Sequence, residues 1–214
     1  MSAVGKFLQS PFQFMENNIL VIGWDGPVYD TLDGRTTEMT FVQKPVGSAI
    51  ARQFGRNLGL YFVVPKAMVA AMPAAIPDGR TFNAYFCPYQ QNNILGTTIS
   101  NKADYMFTAT MDGCSLGIGQ AAPDGSRLIY HSNRGGKSDE QRLELGLVMG
   151  ASLQHVFEPK DYRMEYGQGM LKSTTFGVRS RTSNKWGFYT QIYFEDGGTA
   201  NPKKYFLRQV KDII

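Results

Sequence analysis

The sequence predicts an α+β fold in which a β-rich sheet or sandwich core is flanked by two or three helices. Three observations lead to this prediction. Short runs of β-branched and aromatic residues recur along the chain, 23 glycines separate them at short intervals, and helix-forming patterns are few. Because 14 Phe, 11 Tyr and 2 Trp among 214 residues can fill a substantial core, we expect a single domain over 1–214.

Strand-forming runs are the commonest pattern in the chain. The clearest covers 186–194, where residues alternate between two faces that both carry aromatic rings. That alternation is typical of a central antiparallel strand. The predicted strands are 19–23, 38–43, 60–64, 83–89, 105–111, 127–131, 173–179 and 186–194.

The strongest helical pattern covers 138–153. Ser138 is the predicted N-cap, and Gln141 completes a capping box three residues later. Leu143, Leu147 and Ala151 follow at four-residue spacing, which supports a helix in this segment.

Two shorter helices are predicted at 67–72 and within 48–58. Gly55 and Gly59 weaken the second of these, because glycine has a low helix propensity.

Composition and charge exclude several classes of protein. The net charge is +4 without a block of like charges, so we expect no nucleic-acid partner. No apolar run approaches the roughly 18 residues of a membrane-spanning helix, so no membrane span is expected. Two Cys and two His without zinc-site spacing predict neither a metal nor a cofactor. The N-terminal segment lacks a continuous apolar region, so we expect no classical secretory signal.

One segment carries residues suited to nucleophilic catalysis. Asp112 and Gly113 form a strong turn signal, and Cys114 follows directly. His131 ends the strand that comes after the next turn, 17 positions beyond Cys114. If the two strands pair, the thiol and the imidazole meet at one end of a sheet.

The chemistry of a Cys-His pair needs further groups around it. An imidazole takes the proton of a thiol that is mostly protonated at neutral pH, and a third group fixes the tautomer of the imidazole. Backbone N–H groups of 113–115 are candidate donors to an oxyanion. The candidates for the third group are Thr108, Thr110, Ser132 and Asn133.

The alternative interpretation is that Cys114 is a small core residue, because unpaired cysteines are among the most buried residue types. Cys87 lies in an aromatic run and is predicted to be core packing. His155 is predicted to end the long helix as a C-terminal cation or to pack in the core. Asp25, Asp30 and Asp33 are interpreted as turn residues.

The segment 107–114 reads Phe-Thr-Ala-Thr-Met-Asp-Gly-Cys and is followed by His131. It resembles the core of the Cys-His glutamine deamidase superfamily, which includes the cytotoxic necrotizing factor catalytic domains, the Burkholderia lethal factor and the chemotaxis receptor deamidase CheD. In several members a Thr six positions before the Cys completes the site, and Thr108 occupies that position here. The resemblance covers 104–133, and the total length is also similar to that of the Burkholderia lethal factor.

The resemblance implies a protein glutamine deamidase with Cys114 as nucleophile, His131 as base, and Thr108 or Thr110 supporting the imidazole. It also implies a bacterial toxin or effector whose partner is a host protein, such as a small GTPase or a translation factor, that carries the substrate Gln. We expect a monomer, secreted without a classical signal and acting in the host cytoplasm, or otherwise cytoplasmic. Transglutamination, in which an amine replaces water as the second nucleophile, stays open beside deamidation. Two further alternatives are another Cys-His hydrolase, such as a protease or thioesterase, and a non-catalytic β-sandwich binding module.

Overall fold

The computed structural model describes residues 1–43, 49–72, 76–134, 137–163, 165–166, 169–196 and 202–214. The fold is mostly β, with 48% strand and 20% helix, and its largest unit is a closed eight-strand barrel accompanied by a second sheet. The predicted α+β sheet or sandwich flanked by helices is therefore wrong.

The described residues form the following elements. The helices are α1 (Ala3–Gln9), α2 (Pro11–Asn17), α3 (Ser138–Met149) and α4 (Pro159–Tyr162), with short 3₁₀ helices at Lys66–Ala71 and Gly150–Ser152. The strands are β1 (Asn18–Ile22), β2 (Thr36–Gln43), β3 (Ala49–Gln53), β4 (Arg56–Pro65), β5 (Ile76–Pro77), β6 (Phe82–Cys87), β7 (Ile94–Ile99), β8 (Tyr105–Thr108), β9 (Ser115–Gly119), β10 (Arg127–Ser132), β11 (Leu153–Phe157), β12 (Glu165–Tyr166), β13 (Gly169–Arg179), β14 (Trp186–Glu195) and β15 (Lys203–Asp212).

The barrel closes through pairings between strands that are distant in sequence. Its order is β4-β3-β15-β14-β13-β8-β6-β2, and the β2–β4 pairing completes the ring. The β15–β3 and β6–β8 pairs are parallel, and β1 adds to β4 in parallel. The second sheet has the order β11-β9-β10-β7 and is antiparallel. Each predicted strand coincides with one of these elements, but their alternation alone does not reveal that the ring closes.

Alternation along β6 shows how the barrel wall separates two cores. Phe86 belongs to a cluster that includes Phe7 of α1, whose ring centroid lies 5.3–6.3 Å from aromatic rings of β2, β6, β8 and β13. Tyr85 and Cys87 face the other way, into a cluster shared with the second sheet. Because the rings around Phe7 come from four strands of the ring, the Phe7 cluster lies on the inner face of the barrel wall, and the second sheet packs against the outer face.

The buried face of α3 does not include the leucines at four-residue spacing. Leu143 and Leu147 are 68% and 84% exposed, whereas Leu145 and Met149 pack against β9. A Cβ on Gly117 of β9 would lie 2.6 Å from the Met149 sulfur, so α3 approaches the sheet closely because this position is glycine. Leucines lie on both sides of α3, so leucine spacing alone selects the wrong face.

Other helix predictions also differ from the structure. Lys137, not Ser138, is the N-cap of α3, and it makes no side-chain cap hydrogen bond. The segment predicted as a helix within 48–58 is instead the β3–β4 hairpin, although position 48 lies outside the described residues. Phe54 and Gly55 form its turn with φ angles of 46° and 82°, a positive-φ pair that breaks any helix. The segment 67–72 falls largely within a 3₁₀ helix rather than an α-helix.

Candidate active site

Strands β9 and β10 bring the predicted nucleophile and base together. The pairing that the sequence analysis required is confirmed: Leu116 lies opposite His131, and Ser115 lies opposite Ser132. Residues opposite each other share a face, and Cys114 lies two positions before Leu116, so Cys114 and His131 occupy the same face of the sheet. Diagonal neighbours of this kind have Cα atoms about 7–8 Å apart, with the Cβ atoms somewhat closer.

The other face of the same two strands points toward α3. Ser115 Oγ donates to Gln141 Oε1 at 2.5 Å, and Ser132 Oγ lies 3.4 Å from Glu144 Oε2. Ser132 was one of the candidates for the group that orients the imidazole. Because it faces α3, it does not contact the ring of His131.

Thr108 of β8 holds the imidazole of His131. Thr108 Oγ1 donates to the carbonyl of Cys87 at 3.1 Å and lies 2.6 Å from His131 Nδ1. Because Thr108 Oγ1 donates its single hydroxyl proton to the carbonyl, we assign the proton of the second bond to His131 Nδ1, which makes Nε2 the acceptor. His131 Nε2 is buried without a hydrogen-bond partner among the described residues.

The two remaining candidates bond elsewhere. Thr110 Oγ1 lies 3.3 Å and 3.5 Å from the backbone N and O of Ile22. Asn133 Nδ2 donates to Tyr89 Oη at 2.7 Å. Within the described ranges, Thr108 is thus the candidate that forms a hydrogen bond with His131.

The thiol and the imidazole are both neutral in this arrangement. Cys114 and His131 are each 1% exposed. Burial, with a further contribution from the Asp112 carboxylate, raises the pKa of Cys114 to about 12, and burial lowers the pKa of His131 to about 3. A thiolate–imidazolium pair is therefore not the resting state, and a nucleophilic reaction of this thiol would require transfer of its proton.

The loop before β9 is held from two sides. Gly113 has a φ of 140°, which L side chains rarely adopt, so glycine is required directly before Cys114. Tyr162 Oη accepts from the N–H of Gly113 at 2.9 Å and donates to the carbonyl of Cys114 at 2.8 Å. Gln141 Nε2 donates to the carbonyl of Gly113 at 2.8 Å. The Gly113 N–H, predicted as an oxyanion donor, is therefore already occupied.

Sequence reasoning missed three residues of this site: Tyr89, Gln141 and Tyr162. Gln141 was assigned only to a capping box, and Tyr162 lies 48 positions from the carbonyl that it binds. No local spacing links these residues to Cys114, because α3, α4 and the segment after β6 converge on the loop only in the folded chain.

The other cysteine and histidine lie outside this arrangement. Cys87 is fully buried, and its Sγ lies 3.8 Å and 3.6 Å from the carbonyls of Leu95 and Ile129. Both cysteines are free. His155 lies in β11 rather than at a helix end, and partial burial lowers its pKa.

Two of the aspartates interpreted as turn residues make structural contacts, one of them with a distant strand. Asp30 Oδ1 accepts from the N–H of Gly96 at 2.7 Å, and Asp33 forms an ion pair with Arg35. Over the part of the chain that the structure describes, no three His, Cys, Asp or Glu side chains are grouped as a metal site needs.

Comparison with known proteins adds no family assignment. No protein-family model and no curated protein matches the chain. Among the helices of the described segments, none has the length and apolar character needed to cross a bilayer.

A buried carboxylate supports the element that carries Tyr162. Glu158, directly before α4, is 1% exposed and contacts Arg142 at 2.7 Å and Lys160 at 2.6 Å. The hydrogen bond from Arg142, followed by the Lys160 contact, lowers the pKa of Glu158 to about 2 against the opposing effect of burial. A lowered pKa stabilises the fold above the ordinary value of 4.5, and this contribution is lost as the pH falls through about 2.

We therefore expect Glu158→Gln to lower the free energy of unfolding at pH 7 and to differ progressively less from wild type in increasingly acidic buffer. Urea unfolding at a series of pH values from about 7 to about 2 measures this difference. Asp161, whose Oδ2 accepts from the N–H of Glu158 at 2.7 Å, stays in place in both proteins. A difference in stability between wild type and Glu158→Gln that does not change with pH would contradict the lowered pKa of Glu158.

Proposed function

We propose that the protein is a cysteine-dependent amidohydrolase that converts a Gln side chain of a target protein to Glu. One observation carries the proposal: the 2.6 Å contact between Thr108 Oγ1 and His131 Nδ1 leaves Nε2 as a free acceptor on the face that also holds Cys114. A nucleophile, a base and a group that orients the base are the parts of an acyl-transfer site.

The reaction proceeds through a thioester. His131 Nε2 takes the proton of the Cys114 thiol while Sγ attacks the carboxamide carbon, and the carbonyl electron pair moves to oxygen. The tetrahedral intermediate collapses, the C–N bond breaks, and the proton on Nε2 leaves with ammonia. Water then attacks the thioester with His131 as base, the C–S bond breaks, and Glu and the free thiol are formed.

The nature of the target follows from the resemblance in 104–133 alone. A host protein that carries the substrate Gln, such as a small GTPase or a translation factor, fits a toxin or effector that acts in the host cytoplasm. Conversion of a neutral amide into a carboxylate adds a charge, which is enough to switch or inactivate such a partner. A protease or thioesterase uses the same acyl-enzyme chemistry and differs in the substrate that it accepts.

A non-catalytic binding module is the second candidate, and the burial of Cys114 favours it. A thiol that is 1% exposed and has a raised pKa behaves as a small core residue unless the site opens. The two functions differ in whether Cys114 reacts with an acyl donor in the folded protein.

Mass spectrometry tests the proposed function. A cell lysate is treated in H₂¹⁸O with wild type, Cys114→Ser or Cys87→Ser, and peptides are searched for Gln-to-Glu conversion, which adds about 1 Da plus about 2 Da for the labelled oxygen. We expect a defined Gln to be converted by wild type and by Cys87→Ser but not by Cys114→Ser. Equal conversion in all three samples, or none in any, would overturn the proposal.

Thr108 and Thr110 form a matched pair of variants. We expect Thr108→Val to lower the conversion rate by about 10²-fold, because the N–H of His131 loses its acceptor and the ring its orientation. Thr110→Val removes a hydroxyl that contacts Ile22, so it should stay close to wild type in rate. Time courses on the converted peptide measure both, and equal losses would show that Thr108 acts only through stability.

A further inference from the structure

The acyl chemistry proposed above produces an oxyanion, and one of the three predicted backbone donors is already engaged. The N–H of Gly113 bonds Tyr162 Oη at 2.9 Å. An oxyanion in a water-poor site is stabilised by hydrogen-bond donors aimed at the position where the charge develops. Stabilising the oxyanion therefore requires a further hydrogen-bond donor near Cys114 that is not already bonded to another acceptor.

Tyr89 lies beside both reacting side chains. Its ring centroid is 5.1 Å from that of His131. Its hydroxyl is held by Asn133, whose Nδ2 is 2.7 Å away. Asn133 directly follows Ser132, which pairs with Ser115, the residue after Cys114. Tyr89 is also close enough to Cys114 for the thiol to affect the pKa of Tyr89, so Asn133 holds the Tyr89 hydroxyl in the neighbourhood of the nucleophile.

The direction of that hydrogen bond leaves the proton of Tyr89 available. The amide of Asn133 donates and Oη accepts, so the O–H of Tyr89 has its own hydrogen to give. Across the described part of the chain, no acceptor takes that hydrogen. The backbone of Tyr89 is held in turn, because its N–H donates to the carbonyl of Asp25 at 2.8 Å.

We propose that the Tyr89 hydroxyl is a catalytic hydrogen-bond donor to the substrate carbonyl oxygen, and that Asn133 is the positioning residue that directs it. The inference rests on the proposed function and adds a residue to its machinery. As Cys114 Sγ bonds to the carbonyl carbon, the electron pair moves to oxygen and the O–H of Tyr89 bonds it. The proton stays on Tyr89, and the hydrogen bond is released when the intermediate collapses.

The protonation of Tyr89 suits this role. Burial raises the pKa of Tyr89, and the neighbouring Cys114 and Asp112 raise it further, so the hydroxyl keeps its hydrogen at neutral pH. Tyr89 is half-buried, whereas Cys114 and His131 are fully buried.

Two reactions of the same thiol separate this role from a structural one. Acylation of Cys114 by p-nitrophenyl acetate passes through an oxyanion, whereas alkylation by iodoacetamide displaces iodide and forms none. We expect Tyr89→Phe to slow acylation by about 10²-fold and to leave alkylation at the wild-type rate. Tyr105→Phe removes a hydroxyl that bonds the carbonyl of Leu8, and its ring packs against the Phe7 cluster, so it should change neither rate.

Variants of Asn133 test the direction of the hydrogen bond. Asn133→Asp can accept but not donate, so it takes the hydrogen of Tyr89 and should slow acylation as much as Tyr89→Phe does. In a Tyr89→Phe background, the Asn133→Asp change should cause little additional loss of acylation rate, because the role that we assign to Asn133 passes through the Tyr89 hydroxyl.

Each outcome bears on one of the two proposals. If wild type is not acylated on Cys114, the amidohydrolase proposal fails and the Tyr89 inference fails with it. If wild type is acylated but Tyr89→Phe is acylated at the same rate, or if acylation and alkylation fall together, only the Tyr89 inference is overturned.

Discussion

We expect His131→Ala to lower the rate of Gln conversion by about 10²–10⁴-fold, the contribution of a general base. The thiol of Cys114 is protonated at neutral pH, because burial raises its pKa to about 12, and His131 Nε2 is the acceptor on the same face. Without the imidazole, Sγ has to attack as a thiol or lose its proton to water. Single-turnover kinetics on the converted peptide measure the loss directly.

Two comparisons make this prediction specific. His155→Ala removes the other histidine of the chain, which lies in β11, and it should retain the wild-type rate. Thr108→Val should add no further loss in the His131→Ala background, since Thr108 acts through the ring that is no longer there. Additive losses from Thr108 and His131, or a slow His155→Ala protein, would contradict the assignment of the base.

We expect Tyr162→Phe to lower the free energy of unfolding by about 2–4 kcal/mol, a large part of the stability of a typical domain. The hydroxyl satisfies two buried backbone groups at once, the N–H of Gly113 and the carbonyl of Cys114. Removing it leaves both groups without a partner in a site closed to water. Urea denaturation measures the change, with the dependence of the free energy on denaturant expected to stay unchanged.

The same substitution should also impair catalysis. Tyr162 fixes the loop that presents Cys114, so Tyr162→Phe is expected to slow acylation and alkylation together, unlike Tyr89→Phe. Tyr105→Phe is the control, because its hydroxyl makes one 3.2 Å bond to the carbonyl of Leu8 and should cost about 1 kcal/mol or less. A Tyr162→Phe protein as stable as Tyr105→Phe would show that the loop does not depend on the hydroxyl.

The success of the strand predictions and the failure of several helix predictions have one cause. Alternation along a strand is a local property, so 186–194 was correctly predicted as a strand. The buried face of α3 depends on its partner: Leu145 and Met149 are buried because Gly117 lets α3 approach β9, while Leu143 and Leu147 face outward. The spacing of residues within α3 does not show that β9 is its packing partner.

In the candidate site, too, local patterns were predictable from the sequence, whereas contacts between distant segments were not. Cys114 and His131 were found from the sequence because a turn and two neighbouring strands suffice to place them on one face. The choice between Thr108 and Thr110 was left open, since it depends on how β8 of the barrel faces β10 of the second sheet, and the hydrogen bond to His131 comes from Thr108. Tyr89 and Tyr162 reach the site from segments with no sequence relation to Cys114.

Local pattern in the sequence was enough to predict a β-rich chain, most of its strands and the segment 104–133 that brings a cysteine and a histidine together. The tertiary structure alone decided that the strands close into a barrel, because closure depends on pairings such as β2–β4 and β3–β15 between distant segments. It also decided which side chains surround Cys114, and that burial keeps its thiol protonated. Burial and long-range pairing are properties of the whole packed chain, so no window of sequence contains them.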